Sequence, residues 1–128
     1  MLRETYLARL RTMRRTYPDA EFVAVTRTGR SILAPSKRPL DDYKMAEERL
    51  GDRWEAWDSS NYEVRYRAEI KNNPDAQKEI ERISSLSEKR DVYVVCYEKK
   101  PPCHRFILLD IIKGRQMIKK QGSTRNQR

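Results

Sequence analysis

No apolar run in this chain approaches the roughly 18 residues of a membrane span. The opening MLRETYLARLRTMRRTY has no apolar h-region, which argues against a secretory signal. Glycine occurs only four times, so no Gly-rich phosphate loop can be built. Histidine occurs once and cysteine twice, with no Cys-x-x-Cys. That scarcity argues against a serine triad and against a disulfide-stapled scaffold. Two cysteines without a leader point to a reducing compartment, and the expected location is cytoplasmic. Acids are absent after Asp110, whereas Lys113, Arg115, Lys119, Lys120, Arg125 and Arg128 follow it. Six of the net nine positive charges therefore lie in the last segment.

What is present is one domain's worth of chain: 128 residues, 38 % hydrophobic and 37 % charged. The expected division is a domain over 1–113 and a basic, disordered tail over 114–128. The spacing of Tyr6, Leu10, Met13 and Tyr17 predicts a basic amphipathic helix over 3–16, ended by Pro18. FVAV, residues 22–25, reads as a strand covered on both faces. Leu40, Tyr43, Ala46 and Leu50 predict a helix closed by Gly51, while RWEAWDSSNY after it is ambiguous. Tyr62, Tyr66 and Ile70 share a helical face. Asn73-Pro74-Asp75 has the chemistry of a helix start, with a cap, an N1 proline and an acid at the dipole's positive end. VYVVC, residues 92–96, is the clearest buried strand, and Phe106–Ile112 predicts a helix apolar nearly all round. Strands separated by helices indicate an α/β fold, with a small, mainly parallel sheet flanked by helices and a Rossmann-like strand–loop–helix at the C-terminal end.

That last unit holds both cysteines and the histidine. Cys96 and Glu98 lie at the strand end, where open α/β folds place ligands. Cys103, His104 and Arg105 fall at a helix start, whose free N–H groups favour anions. Arg27 and Thr28 follow the first expected strand and share the crevice where the two strands are neighbours. Cys96 also suits a plain core position, and His104 a capping bond. As a site, the candidate catalytic residues are Cys96, Glu98, Cys103 and His104, with Arg27 and Arg105 as anion ligands. Cys103, beside Arg105 and a helix dipole, is expected to be the more reactive thiol and Cys96 the more buried. No metal or other cofactor is expected, because adjacent Cys103 and His104 rarely both reach one ion.

The run from NNPDAQKEIERIS to PPCHRFILLDII resembles the domain of unknown function family 488. Its signature is a hydrophobic strand ending in Cys-x-Glu, a short loop, then Cys-His-Arg opening an apolar helix. Cys96, Glu98, Cys103, His104 and Arg105 stand at those places; Arg27, LAPSK at 33–37 and Tyr62/Tyr66 match more loosely. The resemblance covers about residues 20–113 and implies a fold and a site, with no particular reaction. Two function classes follow from the residues. One is an enzyme acting on an anionic, phosphate-bearing substrate through the thiols. The other is a nucleic-acid-binding accessory protein that uses the basic helix and tail, with the cysteines structural. No membrane partner is expected.

Overall fold

A computed structural model describes the backbone of residues 1–126 and the side chains of residues 1–118. Its centre is β3 (Val92–Cys96), buried at every position. A strand apolar on both faces can be satisfied only between two other strands and two covering layers. β1 (Leu2–Tyr6) pairs with it on one side and β2 (Glu21–Ala24) on the other, both parallel, giving the order β1-β3-β2. Among the described residues the fold is α/β, a three-stranded parallel sheet with six helices.

The N-terminus corrects the expected helix over 3–16. Residues 2–6 are strand, in register from Leu2↔Val92 to Tyr6↔Cys96, and α1 (Leu7–Thr16) begins only afterwards. Leu2 and Thr5 are buried, and an open ladder on β3 outweighs a helical periodicity that local sequence alone supports. α1 has no buried residue.

α2 (Lys37–Leu50) ends at Gly51, whose φ of 71° is the left-handed C-cap conformation. The ambiguous stretch is α3 (Arg53–Ser59), capped by Asp52, which accepts from the Trp54 and Glu55 amides. α4 (Tyr62–Lys71) buries Tyr62, Tyr66 and Ile70 as its spacing predicts. α5 (Pro74–Ser87) is capped by Asn73 through the Asp75 and Ala76 amides. α6 (His104–Asn126) buries Ile107, Leu108, Leu109 and Ile112 in the core with Val92, Val94 and Cys96. On the other face of the sheet Tyr93 stacks between Phe22 and Tyr17.

α6 continues past residue 113, where the sequence suggests a tail. Arg115 donates to the carbonyl of Gln77, and Gln116 to Ser84 and Ser87, so this part of the helix is tied to α5. The side chains of 119–128, the rest of the expected tail, lie outside the described residues. Among the described residues no helix is long and apolar enough to cross a membrane.

Candidate functional site

β3 ends at Cys96, and residues 97–102 turn the chain into α6, with a cis Pro101–Pro102 peptide. Two arginines hold this turn. Arg53 of α3 donates to the carbonyls of Lys100 (3.0 Å) and Pro102 (3.2 Å) and lies 3.6 Å from the Glu98 carboxylate. Arg105, 1 % exposed, donates to Glu4 (2.6 Å) and to the carbonyls of Glu98 and Lys99. Its guanidinium lies 4.5 Å from the Phe106 ring centre.

The turn brings the scarce residues together. Cys103 Sγ donates to Cys96 Sγ across 3.1 Å, and both cysteines are free and buried. His104 Nε2 lies 2.5 Å from the carbonyl of Val25, to which it donates, and 3.8 Å from Cys96 Sγ. Nδ1 is 3.7 Å from Cys96 Sγ and 3.9 Å from Cys103 Sγ. Tyr66 meets the imidazole edge-on at 5.5 Å. Val25 directly follows β2, so β2 orients the histidine while β3 supplies the sulfur.

Two thiols in contact cannot lose both protons with equal ease. Cys96 is lowered to about 4, chiefly because Cys103 donates a hydrogen bond to it; His104 and the Tyr97 amide add to that, against burial. Cys103 is raised, chiefly by its bond to the Cys96 thiolate and then by burial. This reverses the expected order, in which the helix start was to make Cys103 the thiolate. The dipole and Arg105 do favour charge on Cys103, but the neighbouring thiolate outweighs them.

A cavity of about 420 Å³ opens on this group, lined by Arg27, Cys96, Glu98, Cys103 and His104 among others. Its far wall is aromatic: Tyr43, Trp57 and Tyr62, with Trp57 and Tyr62 stacked at 4.1 Å and Tyr43 edge-on to both. Burial holds Tyr62 and Tyr66 neutral well above the usual tyrosine range.

Arg105 does not line the cavity, although the sequence places it beside Arg27 as an anion ligand. Successive helix residues point about 100° apart. Cys103 and His104 face the cavity, and Arg105 is turned to Glu4. Arg27 does line it, with Nη1 donating to the carbonyl of Pro35 at 3.2 Å. Sequence reasoning also missed Arg53, Lys44, the Val25 carbonyl and the Tyr43/Trp57 wall. Only the loose family match at Tyr62 and Tyr66 pointed toward that wall.

The ligand atoms of Cys96, Cys103 and His104 lie within 4.8 Å of one another, so Cys103 and His104, though adjacent, do converge. Two thiols and an imidazole are a donor set that could hold a soft ion such as zinc.

Against protein-family models, the one described as the active DUF488-N3 subclade (DUF488-N3a) matches residues 6–116. No curated protein and no solved structure matches the chain.

Proposed function

Since the chain belongs to the DUF488 family, in its subclade described as active, we propose that it is a thiol-dependent enzyme of the reducing cytoplasm acting on a small anionic substrate. The carrying observation is the sulfur pair, 3.1 Å apart at the cavity wall beside an imidazole oriented by a backbone carbonyl. Cys96 is the nucleophile. His104 carries protons at Nδ1, and Glu98 holds Arg53 against the turn.

Arg27 and Lys44, both on the cavity, supply the positive charge for a phosphate or similar group. The phosphate serves here as a handle and does not itself react. Phosphoryl transfer needs several donors around the equatorial oxygens. Pro101 and Pro102 have no N–H to give, and Arg105 is engaged elsewhere.

Alkylation with iodoacetamide, followed by peptide mapping, tests the proposal. Cys96 reacts in the folded protein at neutral pH, and inorganic phosphate slows the reaction, less so in Arg27→Ala. If neither cysteine reacts until urea unfolds the chain, both are core residues and the proposal falls.

One observation favours a second function. Arg9, Arg11, Arg14 and Arg15 of α1 are exposed, and none makes an ion pair among the described residues. Such a helix suits phosphate backbones. Single-stranded RNA binding that weakens steeply with salt would support this function, and binding that persists in high salt would oppose a purely electrostatic contact.

A further inference from the structure

A nucleophilic thiolate needs a base or a positive neighbour, but it does not need a second thiol. Cys103 is nevertheless in hydrogen-bond contact with Cys96, seven residues on, across a turn fixed by Arg53 and Arg105. A disulfide bond is about 2.05 Å long. The sulfurs at 3.1 Å are thus about 1 Å from bonding distance. His104 Nδ1 stands 3.9 Å from Cys103 Sγ, placed to take the proton that Cys103 must lose before it can attack.

We infer that Cys96 and Cys103 work as an attacking and a resolving thiol, cycling between a dithiol and an intramolecular disulfide by exchange with small organic disulfides. This rests on Cys96 being the nucleophile. In the first step Cys96 thiolate attacks one sulfur of R–S–S–R. The S–S bond breaks, a mixed disulfide forms on Cys96, and one thiolate leaves. In the second step Cys103 passes its proton to His104 and attacks Cys96 Sγ. The second thiolate leaves and takes the proton from His104. One organic disulfide is reduced to two thiols, and two protein thiols are oxidised to one disulfide. An external thiol runs both steps backward.

The aromatic wall and the cavity volume suit an organic disulfide of a few carbons, and bis(2-hydroxyethyl) disulfide is the probe. The reduced full-length protein is mixed with it, quenched in acid and weighed intact. Expected for the native sequence is the loss of two hydrogens with no adduct, two mercaptoethanol molecules released per chain, and full reversal by excess mercaptoethanol. Cys103→Ser should instead hold one mercaptoethanol, mapped to Cys96, and Cys96→Ser should hold none. A stable adduct on the native protein, or an adduct on Cys103 in Cys96→Ser, overturns the assignment. The native-protein measurement stands even where a variant fails to fold. If iodoacetamide labels Cys96 while the probe yields no intramolecular disulfide, the nucleophile survives and the resolving role is lost.

Discussion

Replacing Arg105 by Met separates two roles for this residue, ligand for an anion and clamp for the turn. Met keeps most of the side-chain volume and its packing on Phe106 but removes every donor. Three hydrogen bonds disappear, to Glu4 and to the carbonyls of Glu98 and Lys99. A hydrogen bond to a charged group is worth roughly 1.5–3 kcal/mol. Glu4 is 35 % exposed, and water compensates it in part. The sum then falls to about 3–5 kcal/mol, in the range for removing one partner of a buried pair. At roughly 4 °C per kcal/mol for a chain of this size, the melting temperature drops by about 12–20 °C. Urea unfolding gives the loss of stability, and phosphate protection of Cys96 from iodoacetamide gives the ligand affinity. Glu4→Gln keeps an acceptor for Arg105 but leaves the buried guanidinium without a counter-charge, so it should cost about 3 kcal/mol and leave phosphate protection unchanged. An Arg105→Met protein with an unchanged urea midpoint and tenfold weaker phosphate protection would refute the clamp and restore the ligand.

Cys96 should alkylate at least tenfold faster than Cys103 at pH 7, because the shared proton resides on Cys103; labelling of Cys103 first would reverse the two roles. Tyr66→Phe removes a buried hydroxyl that donates to the carbonyl of Leu33 at 2.6 Å; chemical denaturation should show a loss of about 1–2 kcal/mol. Tyr62 and Tyr66 have raised pKa values in the fold, so above the ordinary tyrosine value of about 10 the unfolded chain holds fewer protons than the folded one. Their contribution is therefore complete below pH 10 and is lost as pH rises beyond it, which urea midpoints from pH 7 to 11 would register. Replacing Arg9, Arg11, Arg14 and Arg15 by Ala should flatten the salt dependence of any RNA binding by about 0.7 for each phosphate no longer neutralised, read from fluorescence anisotropy titrations.

Much of this architecture is legible in the residues, and the parts that are not share a cause. VYVVC announces itself because a central parallel strand has no polar face to show. Asn73-Pro74 and Gly51 mark helix ends through local chemistry, and both act where the sequence puts them. LRETY carries no such mark. Leu, Arg and Glu are good helix formers, and only the free edge of β3, some 90 residues on, makes them a strand. The candidate site divides in the same way. That Cys96, Cys103 and His104 meet follows from a strand end and a helix start joined by a short turn. Which sulfur holds the charge depends on a 3.1 Å contact, and the side on which Arg105 falls depends on one step of helical rotation. Arg53 could not be foreseen, because its helix lies in a stretch where tryptophans compete with turn formers.

The strand order β1-β3-β2 also has a meaning in time. Both early strands pair only with β3, and a ribosome delivers β3 only after residues 1–91. Until Val92–Cys96 leaves the exit tunnel, the nascent chain has α-helical pieces and two strands with nothing to join. Long-range pairing of this kind is slow to close, and it leaves strand edges open to neighbouring chains meanwhile. When β3 arrives it zips both strands at once and, with its last residue, delivers Cys96 between the ends of its two neighbours. The sheet therefore closes first, and Cys96 meets its thiol and imidazole partners only when Cys103 and His104 follow it from the ribosome.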